Sequence, residues 1–192
     1  MRFRSLPVVL AAGCLVVGLC LVSRWGGFNA LGVFFPETQA APNVDFQKGR
    51  ALMAEGSAKR LKKDFVGAKK AYDEAVKAFQ NSKIQMFATA AQQLSDICAG
   101  MPLDLSKLKN GTYEGAERGY VADVTVSLDV KNGKIARFQV VSNKESRPLK
   151  ALQVIPQAII DRQSPSVDAV TGATITSCAV MSATFKALEK AK

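Results

Sequence analysis

The residues able to do chemistry are concentrated in one stretch, "VDAVTGATITSCAV" at positions 167–180. Thr174 and Thr176 carry hydroxyls. Gly172 and Ala173 add almost no side chain ahead of them, and an apolar run that reads as a helix follows. Two chemistries suit this pattern. In the first, Thr174, Thr176 or Ser177 caps the helix by accepting a hydrogen bond from a backbone N–H. In the second, the small residues let a bulky anion reach the free N–H groups at the helix N-terminus, where hydrogen bonds and the helix dipole both favour it. A threonine hydroxyl at that point can also hold a phosphate covalently.

Little else in the chain offers reactive chemistry. Its 192 residues include no histidine. That removes c-type haem, most zinc and copper sites, and every Ser-His or Cys-His nucleophile pair. The four cysteines, Cys14, Cys20, Cys98 and Cys178, form no Cys-x-x-Cys pair, which argues against an iron–sulfur cluster. Cys14 and Cys20 fall in an apolar run; a disulfide between Cys98 and Cys178 stays open. No catalytic acid or base and no metal site is expected. The net charge of +10 comes largely from lysines spread along helical patterns and reads as solvated faces, with an acidic partner or anionic lipid as the competing reading; no nucleic-acid partner is expected.

The elements that must position the threonines lie in the C-terminal half. Val124, Val126, Leu128 and Val130 alternate with polar residues as a half-buried strand does. Asn132-Gly133 then signals a tight hairpin, with Ile135, Phe138, Val140 and Val141 on the return strand. "RPLKALQVIPQAIIDRQ" reads as one helix, or two short ones divided at Pro156. After the loop "SPSVDAVTGATITS", the chain closes on an amphipathic helix with late lysines. Hairpin, helix, loop and helix make an α+β head over 108–192, a small antiparallel sheet with packed helices.

Upstream, residues 45–100 have helical periodicity, interrupted at Gly56 and Gly67 and stopped by Gly100 and Pro102. A helical hairpin is expected, serving as spacer or docking element. Gly56, Ala68, Tyr72 and Ala75 match the spacing of a single tetratricopeptide repeat, although such repeats normally stack in threes or more. Residues 26–44 read as a linker. At the front, Arg2 and Arg4 precede an uncharged run from Ser5 to Ser23, followed by Arg24 and Trp25. The run approaches the roughly 20 residues of a membrane-spanning helix, so residues 1–25 read as an uncleaved signal-anchor. A cleaved signal peptide and a lipobox at Cys14 are the competing readings. The expected location is a cytoplasmic membrane, single-pass, with the head extracytoplasmic or periplasmic.

The head resembles the FMN-binding domain found in flavin subunits of the sodium-translocating NADH:quinone reductase, in Rnf-type complexes and in stand-alone exported flavoproteins. The resemblance runs from about Gly111 to Leu188. It rests on "GTYEGAERGY", "VTVSLDVKNGKIARFQV", Glu145 and above all "DAVTGATITS". Family members often carry a Thr-Pro-Gly turn after the glutamate, where this chain has "ESRPL".

The resemblance implies a covalent FMN phosphoester on Thr174, placed there by a flavin transferase that uses FAD. It implies that Asp168, Thr171, Gly172 and Ala173 form the recognition and binding loop, with Thr176 as the hydroxyl residue that follows; Glu145 is retained as a cofactor-binding residue. Gly119 and Tyr120 are expected to border the ring, though Tyr120 equally suits the core. The function implied is an electron carrier between a membrane reductase and an exported acceptor, and not a self-contained enzyme. The alternative is a flavin-binding or adaptor module that docks a partner through its helical segment. Cys178, next to the motif, suits either a thiol–flavin role or ordinary burial.

Overall fold

Thirteen of the 16 residues of the last helix, α5 (Thr174–Glu189), are buried, and the architecture follows from that. A helix apolar on nearly all sides must be covered on nearly all sides. In the computed structural model, which describes residues 43–146 and 150–192, a three-stranded sheet covers one face of α5, and α3 and α4 cover much of the rest. The expected spanning helix over 1–25, and most of the linker over 26–44, lie outside the described residues. No helix among the described residues is long and apolar enough to cross a membrane.

The sheet is antiparallel in the order β1 (Gly111–Arg118), β2 (Asp123–Lys131), β3 (Lys134–Ser142). The β2 alternation buries Val124, Val126, Leu128 and Val130 completely, as expected. Asn132 and Gly133 take φ of 51° and 69°, the pair of positive values that a two-residue hairpin turn requires. Strand β1 was not expected. Its inward positions are Tyr113, Gly115 and Glu117 in place of an aliphatic series, so no apolar alternation announces it. Gly115 leaves room for the α5 backbone at Ala183.

Helix α4 (Ala151–Arg162) is one helix, not two: Pro156 sits inside it and forfeits a single backbone hydrogen bond. It ends at Gln163 in the left-handed conformation. The Gln163 side chain then pairs with the backbone of Ile135 at 2.8 and 3.1 Å, acting as a short strand partner for β3. The last helix also departs from the expected amphipathic form, because α3 occupies the side that solvent would otherwise wet.

The helical segment has three helices where a hairpin was expected: α1 (Val44–Leu61), α2 (Phe65–Asn81) and α3 (Gln85–Ala99). The breaks do not fall at Gly56 and Gly67, both of which lie inside helices. They fall at Lys63 and Lys83, with φ of 66° and 61°. Each lysine closes its helix through the same long-reach backbone bond, Asp64 to Lys59 at 3.0 Å and Ile84 to Phe79 at 3.1 Å. The α1 glycines serve packing instead. A Cβ on Gly56 would sit 2.7 Å from the Tyr72 ring, and one on Gly49 2.6 Å from the Phe79 ring. Two glycines one heptad apart thus receive two rings one heptad apart on the antiparallel partner helix.

Two polar links tie this segment to the rest. Gln93 of α3 donates to the Arg118 carbonyl at 2.8 Å. Arg60, 1% exposed, donates to the Tyr72 hydroxyl and, from its other branch, to Ser166 of the loop before α5, both at 3.1 Å.

Candidate functional site

The loop from Ser164 to Ala173 carries the chain from α4 to the N-terminus of α5. Its last four residues form a turn closed by Ala173 N–H donating to the Val170 carbonyl at 2.9 Å. Gly172 is the third residue, with φ of +78°, the value a type II turn demands at that position. A Cβ there would meet nothing within 4 Å. The glycine is therefore required by the backbone, and the space in front of the helix stays open.

The capping reading of the threonines does not hold. Ala173 occupies the N-cap position and no side chain caps α5. The first-turn N–H groups of Thr174, Ile175 and Thr176 are the donors that a helix leaves without internal partners. Ser177 turns away and accepts from Val170 N–H at 3.1 Å. The two threonines then part company. Thr176 is 1% exposed, and its hydroxyl donates a short hydrogen bond to Glu145 Oε2. Thr174 is half-buried and lines open space.

Glu145 is 6% exposed. Its Oε2 accepts from Thr176, and its Oε1 accepts from Val121 N–H at 2.9 Å. Gly119 lies directly beneath: a Cβ would stand 2.7 Å from Glu145 Oε1 and 2.8 Å from the Ala122 carbonyl. Gly119 is thus packed against the glutamate and does not line the cleft. Tyr120, the next residue, is 52% exposed and does line it, so the core reading of Tyr120 is set aside. Asp168 is exposed and accepts from Ala169 N–H at 2.8 Å. Thr171 is exposed in the turn and lines neither cleft described below.

Two clefts meet at Thr174. One, of about 670 Å³, has the Gly172–Thr176 backbone on one side and Phe46, Met86, Phe87 and Tyr120 among its other walls. The second, of about 470 Å³, runs along α1 past Met53, Ala54 and Ala58 to Asp168 and Ala169. Arg50, Phe87 and Thr174 belong to both. The residues from α1 and α3 were not foreseen. They lie more than 80 positions from the motif in sequence, and no local pattern distinguishes Arg50 from the other exposed cations of its helix.

Both described cysteines are free and buried. Desolvation pushes the Cys178 thiol up to about 12 and the Cys98 thiol up to about 11. Cys178 is fully buried and lines neither cleft, which leaves ordinary packing as its role. No cluster that could hold a metal ion is present among the described residues.

The arrangement is that of a cofactor-binding α+β domain: a flexible-φ turn, an uncapped helix N-terminus, an accessible hydroxyl and a half-apolar cleft beside it. The particular family is given by comparison. Residues 119–189 match the FMN-binding domain. The match covers the Glu145 and Thr176 pair and the whole motif, and it leaves β1 and α1 to α3 outside. Over 87 residues, 44% of this chain, the protein is 34% identical to an NADH:acrylate oxidoreductase of Vibrio harveyi, covering 9% of that protein. It is 30% identical over 87 residues to a Treponema pallidum (strain Nichols) protein named only "Uncharacterized protein", covering 24% of it. The chain therefore spans a quarter or less of the length of these relatives.

Proposed function

We propose that the protein is a membrane-anchored, extracytoplasmic flavoprotein that carries FMN covalently on Thr174 and passes electrons between a membrane reductase and an exported acceptor. The observation that carries the covalent part is the separation of the two threonines. The Thr176 hydroxyl is buried and committed to Glu145, whereas the Thr174 hydroxyl stands at an uncapped helix N-terminus with open clefts before it. In the attachment step, Thr174 Oγ forms a bond to the flavin-side phosphorus of FAD. The pyrophosphate bridge breaks, AMP leaves, and the hydroxyl proton is released to solvent. The remaining phosphodiester charge gains about 0.3–1 kcal/mol from the helix N-terminus.

When bound, FMN supplies the redox chemistry. The chain's own residues do the rest. Gly172 opens the approach, Glu145 and Thr176 fix the first turn of α5, and the cleft walls hold the ring away from water. Anchoring is supported by the Arg2 and Arg4 flank and the uncharged run from Ser5 to Ser23. A tethered, covalently loaded carrier suits an extracytoplasmic location, because a loosely held cofactor would be lost by diffusion.

The test is the intact mass of the full chain co-expressed with a flavin transferase, beside a Thr174→Ala variant. A gain of one FMN less one water in the wild type, absent in the variant, is expected. An unmodified wild type would overturn the proposal.

A further inference from the structure

We infer that the helical segment is half of the flavin site: α1 and α3 form the wall against which the ring lies, and Arg50 is the cation that sets its reduction potential. The inference rests on the FMN reading of Thr174 and goes beyond the matched domain, which begins only at Gly119.

The first argument is connectivity. A group attached to Thr174 must enter one of the two clefts that meet there. Arg50 of α1 and Phe87 of α3 line both. Neither route avoids the helical segment.

The second argument is surface chemistry. Phe46 and Phe87 are half-buried and meet edge to face, with centroids 5.3 Å apart at 79°. Phe87 also packs on Phe79, at 5.3 Å and 35°, so its ring is held in place from behind. Met86 and Tyr120 stand 42% and 52% exposed at the same cleft. Large apolar side chains left in water at one concave place mark a binding surface, and aromatic faces with a thioether suit a flat conjugated ring.

The third argument is charge. Among the described residues, Arg50 is the sole charged one lining the larger cleft, and Asp168 is the sole other one lining the smaller. The ion pairs among the described residues leave Arg50 out. A flavin becomes more negative on reduction, so a cation beside it favours the reduced form. The exposed guanidinium acts through partly screened space, and its influence falls as salt rises.

Flavin attachment and flavin environment can be read separately on the full chain co-expressed with a flavin transferase. Arg50→Gln is expected to keep the covalent mass gain and to shift the midpoint potential to more negative values. The shift shrinks at high ionic strength, and Arg50→Lys keeps most of the wild-type potential. Met86→Trp places an electron-rich indole at an exposed cleft position and is expected to quench flavin fluorescence strongly. Covalent flavin on Thr174 with an unshifted Arg50→Gln potential and unquenched Met86→Trp fluorescence overturns this inference and leaves the carrier reading standing. Absence of covalent flavin from the wild type overturns both.

Discussion

The head and the helical segment use glycine and small residues for opposite ends. In the head, Gly172 and Ala173 keep a space empty in front of a helix. In the helical segment, Gly49 and Gly56 exist to be filled, each taking the ring of an α2 aromatic. The first pattern is a motif, compact in sequence and readable as chemistry. The second is a packing code, and its functional consequence shows only when α3 is laid against α5. The contrast teaches that a short signature can specify the reactive group while the cavity it works in is supplied by residues with no signature at all.

The strongest way to break the contrast is to remove the helical segment. If it were a spacer, a chain beginning near residue 101 would fold. The structure argues otherwise, because α5 is buried on the α3 side as well as the sheet side, and Phe185 packs over Gly100 at the end of α3. Fully exposing a side chain such as Phe185 forfeits about 1.5–3 kcal/mol, and a domain has only about 5–15 kcal/mol to lose. The truncated head is expected to show no cooperative thermal transition by circular dichroism, whereas a chain beginning at Asn43 shows one. A truncated head that melts cooperatively near the longer chain's midpoint would return the segment to the status of an accessory.

The same contrast explains how much was legible in advance. The β2–β3 hairpin was readable because Val124 to Val130 alternate and Asn132-Gly133 fixes the turn, both local facts. Strand β1 was not, because its inward positions carry glycine, tyrosine and glutamate. The helix breaks at Lys63 and Lys83 were not, because lysine carries no left-handed preference and the glycines drew attention elsewhere. The motif loop was readable as chemistry, yet which threonine is accessible depends on Glu145, some 30 positions away in sequence. Arg50, Phe46 and Phe87 reach the cleft only through the packing of α3 on α5, a contact that no window of sequence contains.

A sharper test concerns the two threonines. Thr176→Val removes the hydroxyl that donates to Glu145 Oε2 and leaves a buried carboxylate oxygen without that partner. A cost of about 1–3 kcal/mol is expected, read as a lower urea midpoint with an unchanged slope. The covalent mass gain should persist, since the Thr174 hydroxyl is untouched. If Thr176→Val instead abolishes attachment in a protein that is still folded, the division between an accepting and a bracing threonine is wrong.

The smallest expected effect is at the seam between β1 and α5, where Glu117 accepts from Ser182 at 2.9 Å and pairs with Lys186 at 2.7 Å. Burial raises the Glu117 carboxyl. The bonds from Lys186, Arg118 N–H and Ser182 outweigh that and hold it below its ordinary value of 4.5. A depressed folded pKa means the stabilisation is fully present above the unfolded value and is lost as pH falls through the folded one. Glu117→Gln is therefore expected to lower stability by about 1 kcal/mol or less at pH 7, because Lys186 is half in water. The gap between variant and wild type should close as pH drops well below 4.5, measured as the difference in urea midpoint at each pH. A gap that is constant across that range would mean that Glu117 acts through shape alone, and that the α5 seam is held by packing on its sheet side just as it is on its α3 side.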